Sequence, residues 1–220
     1  MRNRRRQLVA ARRASDLVGV RRFGLTVSGT VIDFGSPPLP GQWDVVMANS
    51  NTVITSMGGL ASVVGFIGGQ DAEIFARHAA GGEGSTLTVT LSVDGQPCSV
   101  IWTRWSSRFA AIASLGEVHT DGVPGNGTLT LNTPGQPAGS TVIGYGALHG
   151  VLSANQAVPV WGGGLSAVDP VAAASGAGAS GCVGFAGYLS GAGAPSLPVA
   201  ITSWTGDTAS DRYTLAVALT

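Results

Sequence analysis

Three histidines, two cysteines and twelve carboxylates are the groups of this 220-residue chain best suited to acid–base, thiol or metal chemistry. His119-Thr120-Asp121 sets a carboxylate two residues from an imidazole, the pairing a general base uses. It stands in a turn-rich stretch, and no GxSxG nucleophile elbow exists to work with it, so solvated loop residues are the expectation. Asp71 with Glu73, and Asp207 with Asp211, are the close acidic pairs. Neither has the company that a glycosidase cleft or a calcium loop requires. Cys98 and Cys182 form no CxxC, and with scattered histidines they give no zinc signature; whether they pair is open. Gly176-Ala177-Gly178-Ala179-Ser180-Gly181 matches the GxGxxG dinucleotide pattern in form. That motif needs a strand before it and a helix after it, and here a β-like segment from Cys182 to Leu189 follows. Trp102 and Trp105 are three apart, so on a strand they face opposite sides, which favours core packing over a sugar platform. The chain is expected to have no catalytic residues, no cofactor and no metal.

Charge separates the chain into two parts. Every basic residue is Arg, and eight of the twelve fall within the first 22 residues against one acid, Asp16, for a net 8 − 1 = +7. The other 198 residues carry 4 − 11 = −7. A secretory signal is excluded because Arg12-Arg13 interrupts the apolar Leu8-Val9-Ala10-Ala11. At 44% hydrophobic and 11% charged, the chain has ample side chain for a core, and no apolar run reaches the roughly 18 residues of a membrane span. The 34 glycines follow no collagen period.

These residues must be positioned by elements of two kinds. Arg2 to Val18 lacks Gly and Pro and is rich in helix formers, which predicts a short N-terminal helix with a narrow stripe of Leu8, Ala11, Ala14 and Val18. From Phe23 the period becomes two. Leu25–Val31, Trp43–Ala48, Ala61–Ile67, Phe109–Leu115, Gly127–Leu131, Thr141–Leu148, Gly181–Leu189, Leu197–Trp204 and Tyr213–Leu219 read as strands. Thr86–Val93 is the clearest, with Leu87, Val89, Leu91 and Val93 on the core face, and the turn at Asp94-Gly95 predicts a hairpin with Ser99–Trp105. Ala72–Ala80 fits a strand or a short helix. About a dozen short strands predict an antiparallel β-sandwich, with residues 1–22 as an Arg-rich anchoring arm and 23–220 as one β domain.

The texture of residues 24–220 resembles the jelly-roll-like β-sandwich domains of tailed-bacteriophage virion structural proteins. The likeness is carried by Gly84-Ser85-Thr86-Leu87-Thr88-Val89-Thr90-Leu91, and by Ser203-Trp204-Thr205-Gly206-Asp207-Thr208 leading into Leu215-Ala216-Val217-Ala218-Leu219. It implies a virion component without catalytic residues, either a minor tail or tail-tip protein or a capsid decoration protein. Arg2, Arg4, Arg5, Arg6, Leu8, Val9, Arg12, Arg13, Leu17, Arg21 and Arg22 are the expected partner-binding residues. Their partners would be other virion proteins, in a symmetric homo-oligomeric assembly. Guanidinium groups suit carboxylates, and the interspersed Leu and Val suit a protein surface more than phosphates. A jelly-roll coat protein whose arm binds packaged nucleic acid is the second choice, and a carbohydrate-binding adhesin module the third.

Overall fold

A computed structural model describes residues 16–67, 71–120, 129–152, 159–168, 173–175, 178–192, 196–204 and 211–220. Among them there is no helix, and every strand pairing is antiparallel. The first half holds β1 (Leu17–Leu25), β2 (Thr30–Asp33), β3 (Trp43–Ser50), β4 (Ile54–Met57), β5 (Ala61–Ile67), β6 (Asp71–His78), β7 (Thr86–Leu91) and β8 (Cys98–Trp105). The second holds β9 (Ile112–Thr120), β10 (Leu129–Pro134), β11 (Ser140–Leu152), β12 (Pro159–Trp161), β13 (Ser166–Ala167), β14 (Ala173–Ser175), β15 (Gly178–Ala192), β16 (Ser196–Trp204) and β17 (Asp211–Leu219).

The two halves repeat one topology. In the first, a five-stranded sheet runs β1-β8-β3-β6-β5 and a three-stranded sheet runs β2-β7-β4. In the second, with β14 set aside as an addition beside β15, the orders are β9-β17-β11-β15-β13 and β10-β16-β12. Matching β1–β5 to β9–β13 and β6–β8 to β15–β17 turns the first pair of orders into the second without exception.

The sheets stack in four layers. β3 and β8 are buried along their whole length, because the five-stranded sheet is covered on both faces. One face packs on the small sheet through Ile32, Val46, Met57, Leu87, Val89, Val100 and Trp102. The other meets the large sheet of the second half through Val45, Met47, Ile74, Ile101 and Trp105 against Ile143, Tyr145, Leu215 and Val217. The outer face of that sheet packs on the last layer through Val142, Leu165, Val199 and Ala218. Strand alternation makes this possible, since Trp102 and Trp105 do enter opposite cores as their spacing predicts.

Several expectations are corrected. Residues 17 and 18 of the expected helix belong to β1, and residues 1–15 lie outside the described residues. Leu25–Val31 is interrupted by a turn at Gly29, whose φ is 77°. Ala72–Ala80 resolves as strand β6, whose apolar residues appear on both sides because both faces are buried. The β7–β8 hairpin does not form. β7 pairs with β2 and β4, while β8 pairs with β1 and β3 in the neighbouring layer. The alternating Thr/Leu/Val pattern of β7 suits an outer layer with one wet face, whereas β8, which carries apolar residues on both faces, suits a central one. Val93 accordingly lies beyond the end of β7 and is exposed, while Leu87, Val89 and Leu91 are buried.

Candidate functional site

The densest polar cluster lies between the two large sheets, where each half contributes side chains. Asn49 is on β3, Ser99 on β8, and Asn51 follows β3; Tyr145 and His149 are on β11 and Cys182 on β15. The amide nitrogen of Asn49 faces the carbonyl oxygens of Leu148 at 3.4 Å and Val183 at 3.3 Å, which accept only, so its orientation is fixed. Its Oδ1 then accepts from the hydroxyls of Ser99 and, at 2.9 Å, Tyr145. The same Nδ2 lies 3.3 Å from His149 Nε2, which must therefore be the unprotonated acceptor. His149 Nδ1–H donates to Asn51 Oδ1 at 2.9 Å, and the Cys182 thiol donates to that oxygen at 3.5 Å and to Pro97 O at 3.2 Å. Gly184 makes room for the cluster: a Cβ there would lie 2.5 Å from the Tyr145 hydroxyl oxygen and 3.1 Å from Ser99 Oγ.

Cysteine, histidine and asparagine are the residue types of a thiol nucleophile, yet this arrangement opposes that chemistry. Burial pushes the Cys182 thiol up to about 12, eased by a hydrogen bond from the Asn51 backbone, and pulls His149 down to about 4 against the attraction of Asp211. An activated pair needs thiolate and imidazolium, the reverse of both directions. Cys182, His149, Ser99 and Asn49 are fully buried, so no substrate reaches them. Cys98 is also buried and points into the other core of the first half, with its thiol pushed above the usual range by desolvation. Both cysteines are free thiols. The cluster is a polar weld inside an apolar seam: Asn49, Asn51, Tyr145, His149 and Cys182 each have a partner in the other half, and Ser99 bonds Asn49 of its own half.

His119 lies tilted against Phe66 at 4.0 Å and stacks on Tyr213 at 6.0 Å between ring centroids, joining β9 to β5 and β17; Asp121 lies outside the described residues. The imidazole of His78 packs against Trp43 and its Nε2 lies 3.1 Å from Gly41 O. Asp71 is buried and accepts from Ile54 N at 2.8 Å, and Glu73 beside it has its pKa raised by burial. Asp211 is half-buried in β17 and Asp207 lies outside the described residues. Glu83 caps a turn through Ala80 N and Gly81 N. Gly178–Gly181 of the glycine motif opens strand β15, so no helix N-terminus follows to hold a pyrophosphate. Among the described residues, no three His, Cys, Asp or Glu side chains gather as metal ligands.

Sequence reasoning missed the ion triad at the end of β3. Asp44, fully buried, accepts from Arg104 Nε at 2.8 Å and Arg77 Nη2 at 2.6 Å, and Arg104 covers the Phe34 ring at 4.1 Å. Asp44, Arg77 and Arg104 are far apart in sequence, and nothing in their spacing announces the contact. No known protein family, curated protein or solved structure matches this chain. The resemblance to phage virion proteins therefore rests on sequence texture alone.

The expected partner-binding residues divide at Asp16. Arg2, Arg4, Arg5, Arg6, Leu8, Val9, Arg12 and Arg13 lie outside the described residues. Leu17, Arg21 and Arg22 lie in β1, on the edge of the five-stranded sheet. Leu17 packs against the shared core, and Arg21 reaches the carbonyl of Val20 and the face of Phe34. Arg21 and Arg22 are exposed on that edge strand.

Proposed function

We propose that the protein is a non-enzymatic structural component of a tailed-phage virion, a minor tail or tail-tip protein attached through its Arg-rich N-terminal segment. The strand orders of each half resemble those of a jelly roll, in which two Greek keys wrap eight strands into two facing sheets, with the difference that the fifth strand lies beside the sixth in the large sheet rather than beside the fourth in the small one. On this reading the body is a tandem pair of jelly rolls. The observation that carries the proposal is the separation of charge from fold. Six Arg and no acid precede Asp16, ahead of an all-β body whose candidate catalytic groups are engaged in packing. A body of that kind presents surfaces, and the segment attaches it.

Deletion of residues 2–13 tests this reading. It leaves Asp16 and β1 intact, whereas deletion through residue 22 would take six of the nine β1 residues with it. The truncated protein is expected to keep its melting temperature and to be missing from purified particles. Incorporation at normal copy number would refute the attachment role. Binding of the intact protein, but not the truncated one, to single-stranded RNA with a steep salt dependence would instead favour a coat protein.

A further inference from the structure

We infer that Arg108 is a positioning residue for the N-terminal segment, fixing the point from which it leaves the body at the seam between the two halves; this rests on the attachment role proposed above. Asp16 is the only carboxylate among the first 22 residues. Both of its oxygens are taken by one guanidinium, Arg108 Nε at 2.5 Å and Arg108 Nη2 at 2.6 Å. The Asp16 carbonyl accepts from Ser106 N at 2.8 Å, which continues the β1–β8 ladder one step past Leu17 and Trp105. Arg108 lies in the link between β8 and β9, its third donor Nη1 reaches Gly139 O at 3.0 Å before β11, and its guanidinium lies over the Phe109 ring at 4.0 Å. One side chain thus ties the root of the segment, the link between the halves and a corner of the second half.

A fork bound at both carboxylate oxygens sets direction as well as distance, which a point charge does not. The fifteen residues before Asp16 reach at most about 50 Å when extended. Their docking surface, a neighbouring protein bearing carboxylates, must lie within that radius of the seam corner. Charge alone cannot explain this use of Asp16, because the acid lowers the positive charge of the very segment it belongs to.

Asp16→Asn, Arg108→Gln and the double variant test the inference in the full-length protein. The readouts are hydrogen exchange at the amides of residues 17–20 and copy number in purified particles. Exchange is expected to rise measurably in each single variant and no further in the double, with the amides of β11 unchanged. Copy number is expected to fall by severalfold in all three. Asp16→Asn makes the segment more cationic, so an attachment governed by charge alone would leave its incorporation equal or raised. Either that result, or faster exchange with normal incorporation in Arg108→Gln, would overturn the positioning role and leave attachment standing. Normal incorporation after deletion of residues 2–13 would remove the attachment role itself.

Discussion

His149 is the residue whose surroundings make the strongest demand on its protonation state. Asn49 cannot turn its amide without facing two carbonyls with an oxygen, so a proton on His149 Nε2 would meet an N–H donor rather than an acceptor. The folded pKa near 4, against about 6.5 in the unfolded chain, means the unfolded state binds more protons between those values. Stability is therefore complete above about pH 6.5 and is lost as pH falls towards 4, by about 3 kcal/mol from this group. Glu73 acts in the opposite sense, since burial raises its pKa and its contribution is lost as pH rises. Comparing the wild type with His149→Gln isolates the imidazole: denaturant midpoints from pH 7 to pH 4 should slope less in the variant, and equal slopes would show that His149 is not held neutral. The same burial predicts that Cys98 and Cys182 resist alkylation at pH 8 in the native protein and react only on unfolding. Rapid labelling of Cys182 would reopen the nucleophile reading.

Strands were legible in the sequence both by alternation, as in β7, and by short apolar runs, as in the buried β3, β8 and β17, while β6, buried on both faces, reads equally as a short helix. Thr86–Leu91 announces itself by alternation, and Val89 is fully buried as its position predicts. Val89→Asp should cost several kcal/mol through an unpaired buried charge, read as a large fall in melting temperature. Val93→Ser should change stability by no more than about 0.5 kcal/mol, because the strand ends before it. Equal losses in the two variants would restore the longer strand. The hairpin was misread because Asp94-Gly95 signals a reversal without saying into which layer the chain returns. The repeat was hidden for a related reason: β3, WDVVMANS, and its counterpart β11, STVIGYGALHGVL, share hydropathy but hardly any residues. The glycines of β11 and β15 belong to packing instead. A Cβ on Gly187 would lie 2.8 Å from the Trp161 ring, and one on Gly144 2.6 Å from Val199. Gly187→Ala should destabilise by about 1–3 kcal/mol through overpacking, measured by urea denaturation.

Two eight-strand units joined by a short link, sharing one central core, form a four-layer body. Neither half can leave the other without exposing Trp105, Tyr145 and Leu215, so unfolding should be a single cooperative transition. The charge run visible in the sequence is a property of the whole chain, and its last two arginines, Arg21 and Arg22, fall within β1 and are exposed there. The function proposed here depends on where this body sits, and electron cryomicroscopy of particles containing the protein measures that directly. Ordered density is expected for a four-layer β body at a symmetric tail or tail-tip position, with its N-terminal connection leaving beside Arg108. Absence of the protein from purified particles, or its recovery only as a soluble enzyme with measurable turnover, would contradict it.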